Sequence, residues 1–149
     1  MTIAFREATE DDVPAILALL RDDYLGTARE GAADEAYLAA FQEIEADLNN
    51  AVIVGHLDGT VVATYQLTFI PGLSLRASRR AQLEGVRVAS HMRGQQVGEA
   101  MIADAEARSR AAGCTLMQLT MNKSRTDTAR FYSRVGFTPS HIGYKRDLT

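Results

Sequence analysis

The sequence predicts a mixed α/β fold in one domain spanning residues 1–149, and three observations carry that prediction. Stretches of helical apolar periodicity alternate with short runs of β-branched and aromatic residues. Their order is β, α, α, β, β, β, α, β, α, β, β, with no internal repeat. No linker is long enough to divide the 149 residues, a length that suits a single core.

Taken in order, IAFREA (3–8) reads as a short strand. Thr9-x-x-Asp12 then has the form of a capping box, opening a helix that puts Val13, Ile16, Leu17 and Leu20 on one face. Pro14 falls in its first turns, where a missing N–H costs least. The Gly- and Ala-rich GTAREGAAD precedes a second helix with Tyr37, Phe41, Ile44 and Leu48 in register, and both helices are expected on a sheet. AVIVGHL and TVVATYQLTFI flank Asp58-Gly59, the dipeptide best suited to a type I′ hairpin turn, and Pro71-Gly72 ends the second of these strands.

A basic, weakly patterned stretch, LSLRASRRAQ, leads into the strand LEGVRVA, whose internal Gly85 predicts a β-bulge or a close backbone neighbour. RGQQVG (93–98) follows and opens a helix with Val97, Met101 and Ala105 on one face and Gly113 at its stop. CTLMQLTM (114–121) reads as a strand. Ser124-x-x-Asp127 suggests a second capping box before a short helix through RFYSRV, terminated by Gly136; FTPS and HIGYKRDL then read as two closing strands.

An apolar content of 46% with 23% charged residues excludes a disordered or low-complexity chain. A net charge of −3 gives no global field for a nucleic-acid backbone or an anionic membrane, so neither is an expected partner. No apolar run approaches the roughly 20 residues a bilayer requires, and MTIAFREATEDD carries acids where a secretory leader would be apolar. The expected location is the cytoplasm. Cys114, the single cysteine, has neither a disulfide partner nor a CxxC mate, and His56, His91 and His141 have no ligand spacing, so no metal is expected.

Three features carry chemistry. In the first, a strand followed by RGQQVG and a helix points unpaired helix N–H groups at the loop, where they and the helix dipole attract anions; Arg93 adds a guanidinium, while Gly94 and Gly98 permit close approach. The spacing matches neither the P-loop nor GxGxxG, so a plain tight turn is the alternative. In the second, Glu84 sits mid-strand beside apolar neighbours, where desolvation would prepare it as a general base; the alternative is an ion pair with Arg76, Arg79, Arg80 or Arg87. In the third, Phe131 and Val135 form a core pair, leaving Tyr132 on an adjacent face from which a phenol could donate a proton, or merely pack. Cys114 begins a strand with no histidine placed to activate it, which argues against a covalent intermediate.

LEGVRVASHMRGQQVGEAMI, GCTLMQLTMN and DTARFYSRVGF, in this order, resemble the GNAT superfamily of acetyl-CoA-dependent N-acyltransferases over nearly the whole chain. Arg93 and Gly98 match the ends of the family's [Q/R]-x-x-G-x-[G/A] motif, and Gln96 stands at its middle glycine. Ala129, Phe131, Tyr132, Gly136 and Phe137 match N-x-x-A-x-x-[F/L]-Y-x-x-x-G-F, with Thr126 in place of its asparagine and Asn122 earlier, at a strand end.

The resemblance implies a sheet splayed between VRV and QLTM, with the pantetheine arm of acetyl-CoA along Val86, Arg87 and Val88. It places the pyrophosphate on Arg93, Gly94, Gln95, Gln96, Val97 and Gly98, with Asn122 and Arg125 as further cofactor contacts. Glu84 is implied as the base, working through water, and Tyr132 as the acid for the departing thiolate. The implied reaction is acetyl transfer to a primary amine of a small molecule or peptide by direct attack in a ternary complex. A catalytically silent acetyl-CoA sensor of the same fold is the alternative, and a non-enzymatic interaction domain a more distant one. Neither GTAREGAAD nor IPGLSLRASRRA names the acceptor; Arg76, Arg79 and Arg80 would suit an acidic one, or be a solvated basic loop. Homodimers are common in the family, and the sequence locates no interface.

Overall fold

The computed structural model of the protein describes residues 2–22, 30–32 and 34–149. Its centre is a five-stranded sheet in which β1 (Ala4–Glu7), β2 (Asn50–Leu57), β3 (Thr60–Ile70), β4 (Arg80–Val88) and β5 (Leu116–Leu119) lie side by side in chain order. The first three junctions are antiparallel and β4 to β5 is parallel. Antiparallel neighbours need only a turn, whereas the parallel pair needs a crossover, which is supplied by helix α3 (Val97–Ala111) once α1 (Val13–Arg21) and α2 (Asp34–Ala46) have packed on β2, β3 and β4. Helix α4 (Thr126–Arg134) follows β5.

The hairpin between β2 and β3 forms as its turn chemistry requires. Asp58 and Gly59 both take positive φ, 50° and 80°, as a type I′ turn demands. Tyr65 and Leu67 share a face of β3 with Leu83, the register partner of Leu67 on β4; all three are buried, and Tyr65 donates its hydroxyl to the Asp104 carboxylate of α3. Arg108 donates to that same carboxylate at 2.8 Å and to the carbonyl of Phe5 at 3.3 Å. This network ties β1, β3 and α3 together at the core.

Before α1, the Thr9/Asp12 pattern closes as expected, although the turn it opens, Glu10–Asp12, is a 3-10 turn running into the helix. Asp12 accepts the Thr9 N–H at 2.7 Å and both guanidinium nitrogens of Arg6 at 2.7 and 3.0 Å. Arg6, chiefly through those hydrogen bonds and against the opposing cost of burial, holds the Asp12 carboxyl down at about 2.

Several expectations are corrected. The two closing strands are not formed, because no residue after Phe137 pairs with the sheet: the hydrogen bonds from Phe137 N–H to Tyr132 and from Ser140 N–H to Thr138 are local. The second capping box is also absent. Ser124 donates its N–H and hydroxyl to Asn122 Oδ1 at 3.0 and 2.7 Å, Asp127 pairs with Arg130, and α4 starts at Thr126. Leu48 lies beyond the end of α2 and is 98% exposed, so it leaves the core stripe. β5 is shorter than CTLMQLTM, and most of GTAREGAAD falls outside the described residues.

Candidate active site

The β4–β5 ladder runs from Arg80↔Leu116 to Leu83↔Leu119 and stops there. β4 continues to Val88, paired with β3 on its other side, so the edge of Glu84 to Val88 that faces away from β3 has no strand beside it. On the side facing β3 the register jumps from Gln66↔Glu84 to Thr64↔Arg87, giving β4 one extra residue. Gly85, at φ +59°, takes up that residue beneath Leu20 of α1, which is the bulge its place in LEGVRVA predicts. Edge and bulge together leave a wedge with backbone polar groups on one wall.

The far end of the wedge leads through a 3-10 turn, Ser90–Met92, to the RGQQVG loop. Arg93, Gly94, Gln95 and Gln96 are exposed there, while Val97 is buried in the core. No side chain caps α3, and the N–H groups of Val97 and Gly98 bond to nothing among the described residues. Arg93 likewise has no ion pair among them. Unbonded helix donors and an exposed arginine thus belong to one short loop, a combination suited to an anion.

Two residues of this loop do something the sequence did not disclose. Gln96 sits at φ 63°, ψ 20°, the left-handed region that disfavours a side chain, so the residue standing at the family's middle glycine adopts a glycine's conformation. Gly98 is needed for packing: a Cβ there would lie 2.9 Å from Cζ of Phe131. Loop and α4 are therefore in direct contact.

That contact positions Tyr132, the residue after Phe131. Its ring meets Phe131 and Phe137 edge-on at centroid distances of 5.2 and 5.7 Å, and Phe137 N–H bonds back to its carbonyl at 2.9 Å. Burial pushes the Tyr132 phenol up, opposed by the charges of Arg87 and Arg125, so the hydroxyl stays protonated well above neutral pH. Arg87 comes from the wedge wall, where its Nη1 also donates to the Val86 carbonyl at 2.8 Å, and Arg125 precedes α4. The three implied residues Tyr132, Arg87 and Arg125 are thereby brought within electrostatic reach of one another.

Glu84 departs from expectation. It lies on the wedge wall at the bulge, but it is exposed, so the desolvation foreseen for it does not occur. Of the four arginines offered as its alternative partners, Arg76, Arg79, Arg80 and Arg87, Arg79 bonds instead to Asn49 at 2.8 Å. Asn122 is diverted in part as well, since its side-chain carbonyl serves Ser124 and organises the turn before α4. Arg134 was not foreseen: Glu99 in the first turn of α3 holds its Nη2 at 2.7 Å, placing a second cation beside the loop. It follows α4's aromatic pair by one turn, and nothing in the sequence signals a contact with Glu99.

Burial pushes the Cys114 thiol up, against the opposing charge of Arg79, which suits packing and not nucleophilic attack. Among the described residues no three His, Cys, Asp or Glu side chains gather as a metal site, and no helix is long and apolar enough to cross a membrane.

The five-stranded mixed sheet with its parallel last pair is an acetyltransferase-type α/β fold, and the chain belongs to the acetyltransferase (GNAT) family, whose sequence profile matches residues 13–137. A crystal structure of a transcriptional regulator from Bacillus halodurans C-125 is 41% identical, with a TM-score of 0.94 over 99% of this chain and 100% of that one. Glucosamine-6-phosphate N-acetyltransferase from Arabidopsis thaliana, 20% identical, shares the fold with a TM-score of 0.81 over all of both chains. The aminoalkylphosphonate N-acetyltransferase of Salmonella typhimurium is 37% identical over 67 residues, 45% of this chain and 44% of that protein, so the match spans less than half of that relative.

Proposed function

We propose that the protein transfers the acetyl group of acetyl-CoA to a primary amine of a small molecule or peptide, by direct attack in a ternary complex. The observation that carries this reading is the wedge that opens where the ladder stops after Leu83 and Leu119, with the exposed RGQQVG loop at one end and Tyr132 against its wall. The pantetheine arm extends along Val86 to Val88 as a substitute for the missing strand. The pyrophosphate takes the N–H groups of Val97 and Gly98, with Arg93 as counter-charge.

Glu84, exposed at the mouth of the wedge, accepts the ammonium proton through water, because only the free amine can attack the thioester carbon. Attack forms the C–N bond and moves the carbonyl electrons onto oxygen. Their return breaks the C–S bond, and Tyr132 delivers its phenolic proton to the leaving thiolate. A phenol kept protonated by burial is suited to that step.

A second reading is favoured by one observation, the name of the 41% identical relative: a transcriptional regulator. On this reading the chain binds acetyl-CoA and reports it without turnover. Release of free CoA thiol from acetyl-CoA with a panel of amines, polyamines, amino acids and peptides separates the two. Turnover that falls sharply in Tyr132→Phe and Glu84→Gln variants still able to bind acetyl-CoA supports transfer, and binding with no turnover on any amine supports the sensor. Absence of any thermal shift at millimolar CoA overturns both, since a ligand at 100 times its Kd should stabilise the fold by about 2.7 kcal/mol.

A further inference from the structure

We propose that Arg80 and the side-chain pair Gln82 and Gln118 select the acceptor, and that it is an extended peptide with an anionic group about four residues from its reactive amine. The inference deepens the transfer reading above and rests on its placing of Glu84 at the acceptor amine. Side chains alternate along a strand, so Arg80, Gln82 and Glu84 of β4 share one face, opposite their register partners Ile70, Thr68 and Gln66 on β3. Ala81 and Leu83, between them, are buried on the other face. Toward β5, Gln82 stands beside Gln118 and accepts its side-chain N–H at 2.7 Å.

The register sets Asn50, Thr68, Gln82 and Gln118 in one polar row across four strands. At the β2 end the row is closed: Thr68 donates its hydroxyl to Asn50 Oδ1 at 2.6 Å, and Phe41 and Ile44 of α2 lie beside Asn50. At the β5 end it is partly exposed and its bonding is incomplete. Once Gln118 has donated to Gln82, its side-chain carbonyl and second N–H have no partner among the described residues. A primary amide with one free acceptor and one free donor is the complement of a peptide group, which offers the reciprocal pair.

Charge fixes the two ends of the occupant. Arg79 is engaged, bonded to Asn49 at 2.8 Å with its guanidinium 5.6 Å from the Phe69 ring centroid. Arg80 has no ion pair among the described residues, and its Nη1 would lie 3.2 Å from a Cβ on Gly72, which puts the guanidinium beside the turn that ends β3. Glu84, four positions along the strand, is exposed. The two charges therefore stand roughly 13 Å apart at about 3.3 Å per residue, with the amide pair between them. An extended peptide covers that span in about four residues, which a free amino acid cannot do. The pantetheine arm, along Val86 to Val88, approaches Glu84 from the opposite end of the same strand.

The test uses peptide amides of the forms Gly-Ala-Ala-Glu, Gly-Ala-Ala-phosphoserine, Gly-Ala-Ala-Gln and Gly-Ala-Ala-Arg, with Gly-Glu as a short acid. Two readouts are taken on the full chain: turnover with acetyl-CoA, and fluorescence anisotropy of the same peptides, labelled at the C-terminus, with CoA present. The wild type should prefer either acidic tetrapeptide to the Gln peptide and to Gly-Glu on the order of tenfold, in KM and in binding, a comparison that needs no variant to fold. The better of the two acids names the source of the anion. Arg80→Gln should erase the preference, Arg80→Lys should restore part of it, and Arg80→Glu should turn it toward the Arg peptide; a retained thermal shift with CoA reports that each variant folds. Gln118→Leu should weaken the acidic tetrapeptides and leave Gly-Glu as it was. Turnover indifferent to acid, length and Arg80 would overturn the inference and leave acetyl transfer standing. Acid-dependent binding that is lost in Arg80→Gln, with no turnover, would support the recognition and overturn the transfer. Neither binding nor turnover of any acidic tetrapeptide would overturn the inference outright.

Discussion

The middle of the sheet and its β5 end are built differently. From β2 to β4 each strand has a neighbour on both sides and buries residues such as Ile53, Tyr65, Leu67 and Leu83, all at most 1% exposed. From β5 onward the strand is four residues long, α4 buries none of its side chains fully, and the final twelve residues are exposed throughout. The first region satisfies itself, and the second presents unmet hydrogen bonds and apolar surface to whatever completes it. The wedge lies on the boundary, where a ladder ends and its last strand is free to receive something else.

The sharpest way to break this comparison is to delete side chains on both sides of it. Leu67→Ala should cost about 3 kcal/mol in urea unfolding, the usual cost of a cavity in a closed core. Tyr144→Ser, measured in dilute protein, should stay within about 0.5 kcal/mol of wild type. Equal losses would mean that the segment already has a home in the single chain.

Asp12 extends the test to pH. Its carboxyl is lowered from the ordinary range to about 2 in the fold, so the stabilisation is complete above the unfolded value near 4 and is lost as pH falls toward 2. Asp12→Asn should remove about 2 kcal/mol at pH 7 and flatten the acid limb of the stability curve between pH 4 and 2. An unaltered acid limb in the variant would show that the Arg6 pair is not its source.

Smaller effects probe the boundary itself. Gly98→Ala should cost about 1–2 kcal/mol, since its methyl must displace the Phe131 ring, and should weaken CoA retention in the thermal-shift assay. Gln96→Gly should raise stability by about 1 kcal/mol, because glycine takes the left-handed conformation without the penalty glutamine pays. Destabilisation by Gln96→Gly would mean that its side chain makes a contact worth more than the strain.

How much of this was legible in the sequence follows from where each signal resides. The β2–β3 hairpin could be read because Asp58-Gly59 states its own turn geometry, and the bulge because Gly85 interrupts a strand. α3 could be read because Val97, Met101 and Ala105 repeat at one face. FTPS and HIGYKRDL were misread because periodicity identifies a segment able to be a strand and says nothing of whether a partner lies beside it. Glu84 was placed on the right strand with the wrong solvation, since burial depends on what stands opposite. The Tyr65–Asp104–Arg108 network left only an i, i+4 acid–base pair as its trace.

Phe131 resting on Gly98 also imposes a rule of inheritance. The family pattern admits alanine at the position of Gly98 and leucine at that of Phe131, but the two share one volume, so a change at one alters what fits at the other. Descendants that gain a methyl at 98 should be found with a slimmer residue at 131, and those that keep the aromatic ring should keep the glycine.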